Sequence, residues 1–133
     1  MGHLLTNADP QFYAVMGPFL SKREIVKELG FSVWDDDGKA WIVARVDGAV
    51  AGFCGVLVGK GIAQVTSFYV LPAYRKQGIG AGLLQDALEY AAGVGCTMAR
   101  ATAAPDSQAL FVAAGFDVIG EVGRYSKMEK RLS

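Results

Sequence analysis

The fold is decided by residues 70–82, whose sequence is Val-Leu-Pro-Ala-Tyr-Arg-Lys-Gln-Gly-Ile-Gly-Ala-Gly. The segment before it, 62–70, is rich in β-branched and aromatic residues and predicts a strand, while an apolar stripe predicts a helix from 78 to about 92. Glycines at 78, 80 and 82 therefore stand at a helix N-terminus, where unpaired N–H groups and the positive end of the helix dipole favour an anion. The stretch predicts a site for a diphosphate group.

Two common nucleotide-binding motifs do not fit this loop. The dinucleotide fingerprint G-x-G-x-x-G requires a third glycine where Leu83 stands, and no G-K-S or G-K-T is present to form a P-loop. The second βαβ half of a dinucleotide-binding fold is also missing from the pattern. A dinucleotide or nucleotide binder is therefore the least favoured interpretation of the loop.

The stretch resembles the acetyl-CoA motif of the GNAT N-acetyltransferase family, V-x-P-x-Y/F-R-x-x-G-I/L-G-x-x-L-L. The matching positions are Val70, Pro72, Tyr74, Arg75, Gly78, Ile79, Gly80, Leu83 and Leu84. The resemblance implies that acetyl-CoA is the acetyl donor, that the backbone of Val70 and Leu71 bonds its pantetheine arm, and that residues 75–81 surround its pyrophosphate. The cofactor-binding residues implied are Phe68, Tyr69, Val70, Leu71, Arg75, Lys76, Gln77, Gly78, Ile79, Gly80, Ala81 and Phe111.

The resemblance covers nearly the whole chain and implies a single domain over residues 1–133. The fold class it implies is mixed α/β: a central, mostly antiparallel sheet, splayed at the cofactor site, with about four flanking helices. The residues themselves predict a right-handed parallel crossover around the loop and a tight hairpin turn at Asp47-Gly48. The predicted strands are 3–5, 40–46, 49–58, 62–70, 96–103, 117–122 and 125–132, and the predicted helices are 10–16, 21–29, 78–92 and 107–114.

Composition narrows the possible partners of the protein. The formal net charge is zero, which gives no reason to expect a nucleic-acid partner. Cys54 and Cys96 stand singly, so we expect neither a disulfide nor a metal site and assign the chain to the cytoplasm. The apolar runs are far shorter than the roughly 18 residues that a membrane span needs, so no membrane association is expected.

Acetyl transfer from a thioester to an amine needs a neutral amine, a donor to the developing oxyanion and a proton for the departing thiolate. The resemblance implies that a backbone N–H near Val70 supplies the oxyanion donor. The comparison with the family also shows that residues expected to donate and accept protons are missing. Many family members have a tyrosine where Phe111 stands, an asparagine where Ala104 stands and a glutamate near Gln64. A phenylalanine cannot donate a proton, and a glutamine cannot usefully accept one.

Two main interpretations follow from these gaps. In the first, the chain is a working acetyltransferase that moves acetyl to a primary amine by direct attack in a ternary complex, with water or another group as the acid. The polar candidates near the acceptor site are Ser67, Tyr69, Tyr125 and Glu121, and we select Val70, Ser67 and Tyr125 as catalytic. In the second, the chain is a non-catalytic acetyl-CoA-binding sensor or regulatory module. The enzyme is favoured because the cofactor loop is complete.

The sequence does not identify the amine acceptor, which could be a small molecule, a peptide N-terminus or a lysine. The resemblance makes Phe19, Leu20 and Glu24 candidates for acceptor contact. With 52% hydrophobic residues and a mean hydropathy of +0.27, the chain has more apolar material than a small core readily buries, which predicts a homodimer. The surface predicted for that dimer comprises Phe116, Val118, Ile119, Val122 and Tyr125 together with the first helix.

Overall fold

The computed structural model describes residues 2–6, 40–75 and 77–132. Within these residues the strands are β1 (Gly2–Thr6), β2 (Ala40–Val46), β3 (Ala49–Gly59), β4 (Ile62–Val70), β5 (Met98–Ala103), β6 (Asp117–Val122) and β7 (Tyr125–Arg131). The described helices are α1 (Ile79–Gly93) and α2 (Pro105–Ala113), with a 3₁₀ turn at Pro72–Tyr74.

All seven strands form one sheet in the order β1-β2-β3-β4-β5-β7-β6. Every neighbouring pair is antiparallel except β4 and β5, which run parallel and are joined by α1. The mixed α/β class, the mostly antiparallel sheet and the parallel crossover are thereby confirmed.

Two tight turns set the register of the strands that lead to the loop. Asp47 and Gly48 have φ angles of 51° and 82°, and Lys60 and Gly61 have 55° and 77°. Two successive positive φ angles are what a type I′ hairpin turn requires, and the twist of this turn matches the twist of the strands beside it. The hairpin predicted at Asp47-Gly48 is therefore confirmed, and Lys60-Gly61 forms a second turn of the same kind.

The sheet opens between β4 and β5. The two strands pair only from Ile62 opposite Met98 to Val65 opposite Ala101. Beyond that point residues 66–70 pair with β3 alone, and the end of β5 pairs with β7. The expected splay is confirmed, and it leaves a gap at the carboxyl end of β4.

Helix α1 covers one face of the sheet with its apolar stripe. The buried residues of this helix are Ile79, Leu83, Leu84, Ala87 and Ala91. Each buried leucine contributes about 1.5–3 kcal/mol to stability, so this stripe anchors the helix and the loop before it. On the opposite face Trp41, Phe53 and Tyr69 are buried in a row, with ring centroids 6.0 and 5.8 Å apart.

The structure differs from the sequence prediction in the number of helices and in several element boundaries. The described residues contain two α-helices rather than about four; the predicted helices at 10–16 and 21–29 lie outside them. Strand β5 begins at Met98 instead of 96, because the N–H of Cys96 bonds Ala91 and closes the end of α1. Helix α2 begins at Pro105 instead of 107, with Ala104 as its N-cap, because a proline is well suited to the first helical position.

Candidate functional site

A cleft of about 400 Å³ lies in the gap where β4 leaves β5. Three parts of the chain form its walls: the end of β4, the loop with the start of α1, and the start of α2. The residues that line it are Phe68, Tyr69, Val70, Tyr74, Arg75, Gly78, Gly80, Ala81, Ala104, Asp106, Ser107 and Leu110. The break in the sheet thus brings two helix N-termini to one opening.

The N-terminus of α1 provides backbone donors to this cleft. Gly78 is its N-cap, with a φ of 81° that favours glycine, and it offers no side chain to bond the first turn. The first main-chain bond of the helix runs from the Gly82 N–H to the Gly78 carbonyl, at 3.1 Å. The N–H groups of the first turn therefore have no partner within the helix and are suited to bind an anion.

Gly80 has a packing role as well. A Cβ atom at this position would lie 3.2 Å from Leu110 of α2 and 3.6 Å from Val70 of β4. The absence of a side chain lets the start of α1 approach both neighbours closely. Gly80 thus contributes to the shape of the cleft, whether or not a ligand is bound.

Arg75 is fixed at the mouth of the cleft by two contacts. Its Nε donates a hydrogen bond to the Val70 carbonyl at 2.8 Å, and its guanidinium carbon lies 5.3 Å from the centroid of the Tyr69 ring. The side chain is exposed and carries the positive charge beside the N-terminus of α1. These contacts connect the loop to the last residues of β4.

Three other loop residues predicted to bind cofactor, Leu71, Gln77 and Ile79, are not among the residues that line the cleft. Both backbone groups of Leu71 are bonded within the protein: its N–H donates to Ala51 and its carbonyl accepts from Tyr74. Ile79 is 7% exposed and belongs to the core. Gln77 is exposed, and its side-chain amide donates to the Ala73 carbonyl at 3.4 Å. Lys76 lies outside the described residues.

A β-bulge in β4 sits at the inner end of the cleft. Phe53 pairs with Tyr69 and Gly55 with Thr66, so two residues of β4 oppose one residue of β3. One of the two is Ser67, which is buried and has a φ of 51°. Few non-glycine residues adopt positive φ, and bulges of this kind re-aim side chains near active sites. No glycine marks this bulge, so no local signal predicts it.

A second, smaller cavity of about 30 Å³ adjoins the cleft. Its lining contains the hydroxyl-bearing side chains of Ser67, Thr102, Ser107 and Tyr125. The remaining lining residues are Val65, Phe68, Ala103, Ala104 and Phe111. Two of the residues predicted to be catalytic, Ser67 and Tyr125, are therefore brought together, and Val70 lies at the adjoining cleft.

Phe111 forms the apolar wall of this small cavity. It is 2% exposed and makes edge contacts with the rings of Phe68 and Phe116, at centroid distances of 5.5 and 5.1 Å. Phe116 is buried, although it is one of the residues predicted for a dimer surface. Because Phe111 is apolar, the polar side chains among the residues that line this cavity are the four that bear hydroxyl groups.

The other polar candidates are placed less favourably. Tyr69 lines the cleft, but it is only 5% exposed and packs its ring on Phe53. Gln64 and Glu121 are exposed and line neither cavity. Phe19, Leu20 and Glu24 lie outside the described residues.

Sequence reasoning missed several residues of the two cavities. Asp106, Ser107 and Leu110 reach the cleft from α2, and Thr102 reaches the small cavity from β5. The loop motif gives no information about them, because they come close only through the crossover. Pro105 marks where α2 begins and could have indicated that the first turn of this helix faces the opening.

A sheet split beside an uncapped helix N-terminus, with an arginine at the opening, has the shape and charge that suit an extended ligand carrying phosphate. The chain belongs to the Acetyltransferase (GNAT) family, whose model matches residues 6–116. It is 38% identical over 64 residues to an uncharacterized N-acetyltransferase of Archaeoglobus fulgidus. That match covers 43% of this chain and 42% of the relative, so the likeness to this curated relative spans less than half of it.

Solved structures share the fold along the whole chain. Escherichia coli ElaA matches with a TM-score of 0.79 and 17% identity, over 98% of this chain and 99% of that one. The PaiA N-acetyltransferase of Thermoplasma acidophilum, solved in complex with coenzyme A, matches with a TM-score of 0.69 and 15% identity, over 98% and 99%. At these identities the likeness establishes the fold alone.

Neither α1 nor α2 has the length and apolar character that crossing a membrane requires. Within the residues that the structure describes, no three histidine, cysteine, aspartate or glutamate side chains converge as metal ligands would.

Proposed function

We propose that the chain, as one domain over residues 1–133, is an acetyl-CoA-dependent N-acetyltransferase that moves an acetyl group to a primary amine by direct attack in a ternary complex. The observation that carries this proposal is the continuity of the cleft: it runs from the uncapped N-terminus of α1 to the bulge in β4. A site with phosphate donors at one end and a break between strands at the other suits a long thioester cosubstrate.

Coenzyme A fits the groups that line the cleft. The first-turn N–H groups of α1, around Gly78 and Gly80, would bond the pyrophosphate, with the positive charge of Arg75 beside them. Because both backbone groups of Leu71 already have partners, the backbone of Val70 is the stronger candidate for the pantetheine arm. The coenzyme A bound by the Thermoplasma relative supports this assignment.

The reaction itself requires little from side chains. The amine nitrogen forms a bond to the thioester carbonyl carbon, the carbon–sulfur bond breaks, the sulfur gains a proton and the nitrogen loses one. A backbone N–H at Val70 would stabilise the oxyanion, and one such donor is worth about 10²–10³-fold in rate. Ser67 and Tyr125 line the cavity beside Phe111, which supports their assignment as the groups that handle protons.

A second candidate function is a non-catalytic acetyl-CoA sensor on the same fold. The observation that favours it is the ring of Phe111 in the cavity wall, together with the exposed position of Gln64, since neither can act as acid or base. Turnover distinguishes the two functions, because a sensor binds acetyl-CoA without releasing thiol.

The proposal also includes a cellular location and an oligomeric state. The protein works in the cytoplasm, a reducing compartment, which is supported by the burial of Cys54 and Cys96 outside any disulfide. It also forms a homodimer, an assembly supported by apolar residues on the edge strand β6. The acceptor is a primary amine of any size that reaches the break in the sheet.

Calorimetry with acetyl-CoA tests the binding site through Ala81. This residue is exposed, lines the cleft and lies in the first turn of α1, where an acidic side chain favours the helix. Ala81→Asp should leave the melting temperature of the free protein unchanged or higher. It should also weaken acetyl-CoA binding at least tenfold, because its charge repels the pyrophosphate.

The matched control is Ala81→Asn, which has nearly the same shape without the charge. It should bind acetyl-CoA within a factor of about three of the parent, a difference of less than about 1 kcal/mol. A thiol-release assay over a panel of primary amines then measures turnover. If Ala81→Asp bound acetyl-CoA as tightly as the parent, the pyrophosphate would not bind at the N-terminus of α1. If acetyl-CoA bound but no amine were acetylated, the sensor function would be favoured.

A further inference from the structure

We propose that the small cavity beside Phe111 receives the methyl group of the acetyl donor, and that the Phe111 ring limits the donor to short acyl chains. The inference rests on the proposed acetyltransferase function and deepens it, because it names a residue that decides which coenzyme A thioesters the protein uses. A longer acyl chain needs space that this ring occupies.

The cavity lies beyond the inner end of the cleft. Phe68, Ala104 and Ser107 line both spaces, so the cavity and the cleft adjoin. Gly78 and Arg75, beside which the pyrophosphate would bind, line the cleft alone. A thioester that extends from the N-terminus of α1 toward the shared residues therefore directs its acyl group at the cavity.

The volume of the cavity suits a short acyl chain. At about 30 Å³ it exceeds the roughly 10–15 Å³ that one water-sized group needs, and it has no room for three such groups. A methyl group is slightly larger than a water molecule, so the methyl of acetyl fills most of this space. Val65, Ala103 and Phe111 in the lining are each at most 5% exposed, so a longer chain would meet the packed core.

The ring of Phe111 is held in place from two sides. It makes edge contacts with Phe68 and Phe116, at centroid distances of 5.5 and 5.1 Å. The N–H of Phe116 also bonds the carbonyl of Phe111 at 3.0 Å, which fixes the backbone at the end of α2. Because a close-packed interior yields little to added methylene groups, the cavity excludes a longer chain instead of widening around it.

A series of coenzyme A thioesters tests this limit in the parent protein. Butyryl-CoA has two methylenes more than acetyl-CoA, and one methylene that does not fit a pocket is worth about 10–200-fold in kcat/KM. With the same primary amine, butyryl-CoA should therefore give a kcat/KM at least about 100-fold below that of acetyl-CoA. Calorimetry should also give butyryl-CoA a Kd about tenfold higher than that of acetyl-CoA.

Phe111→Leu and Phe116→Leu form a matched pair for the role of the ring. Both replace a phenylalanine that is 2% exposed, but only Phe111 lines the cavity. Phe111→Leu should raise the ratio of kcat/KM for butyryl-CoA to that for acetyl-CoA by about tenfold or more. Phe116→Leu should leave this ratio within a factor of about three of the parent. The Kd of coenzyme A without an acyl group should be unchanged in both, which shows that the cleft is intact.

The results separate the chain-length limit from the acetyltransferase function. If the parent used butyryl-CoA as well as acetyl-CoA, or if both leucine variants changed the ratio equally, the limit at Phe111 would be overturned while acetyl transfer by the parent was upheld. Should Phe111→Leu fail to fold, the thioester series of the parent still decides between these results. If acetyl-CoA bound but no amine were acetylated, the acetyltransferase would be overturned, and the Kd values of acetyl-CoA and butyryl-CoA would still test the cavity. Failure of the parent to bind acetyl-CoA would overturn both.

Discussion

At the scale of single residues, Arg75 connects the cofactor loop to the end of β4. Its Nε bonds the Val70 carbonyl and its guanidinium lies over Tyr69. One side chain thus holds the strand end and supplies charge to the cleft. Arg75→Ala should weaken acetyl-CoA binding about tenfold or more, since a hydrogen bond to a charged group is worth about 1.5–3 kcal/mol. Calorimetry at low and moderate salt measures the loss.

Arg131→Ala provides the comparison for that experiment. Arg131 is exposed on β7, opposite Met98 and at the end of the sheet away from the cleft. Removing it changes the net charge by the same amount, so its Kd should stay close to that of the parent. An equal loss in both variants would mean that Arg75 acts through overall charge and not through its position.

Some features of single residues can be predicted from the local sequence, whereas others depend on contacts with distant parts of the chain. The glycines of the loop and the turn at Asp47-Gly48 follow from local backbone rules, and both were predicted. The positive φ of Ser67 does not, because the bulge is imposed by pairing with β3 and serine gives no local signal for it. The small cavity beside Phe111 was not predicted for a similar reason: Thr102 and Ser107 come close to Ser67 only after the crossover is formed.

At the scale of elements, α2 ends in a motif that fixes it to the sheet. The N–H of Gly115 bonds Val112 and the N–H of Phe116 bonds Phe111, which is the Schellman pattern, and the two phenylalanine rings are in contact. Gly115 has a φ of 98°, which suits the residue that follows the end of a helix. The start of α2 was predicted two residues too late, because the cap is Ala104, which makes no side-chain bond.

Lys130 adds a charged cap to the same helix end. Its ammonium group donates to the carbonyl of Ala114, where the negative end of the helix dipole favours a cation. Lys130→Met keeps the length of the side chain and removes the charge, so it should lower the free energy of unfolding by about 1 kcal/mol. Urea denaturation followed by circular dichroism measures this change.

Lys127→Met is the matched substitution on the same strand. Lys127 is exposed, so its loss should change the free energy of unfolding by no more than about 0.5 kcal/mol. If Lys130→Met were as stable as the parent while Lys127→Met was not, the cap at Ala114 would have no stabilising role.

At the scale of the whole molecule, the sheet has an uncovered edge at β6. Val118, Ile119 and Val122 are 44%, 55% and 50% exposed on this strand, whereas Phe116 is buried and Tyr125 half-buried. Three of the five residues predicted for a dimer surface are therefore at the surface, and two belong to the interior. The sequence could predict an excess of apolar residues but not how they divide, because the division depends on which strand ends at the edge.

An edge strand with exposed apolar residues is a template for pairing with a second strand, and a two-fold axis is the usual way for identical chains to use it. We therefore expect light scattering at micromolar concentration to give a mass near twice the 14.1 kDa of one chain. Ile119→Asp should shift the mass to that of one chain, because burying a carboxylate against a second strand is costly. Val112→Asp, at a residue 51% exposed on α2, should leave the mass unchanged. A parent mass near 14.1 kDa, with or without acetyl-CoA, would mean that β6 remains a free edge and that its apolar residues are simply solvated.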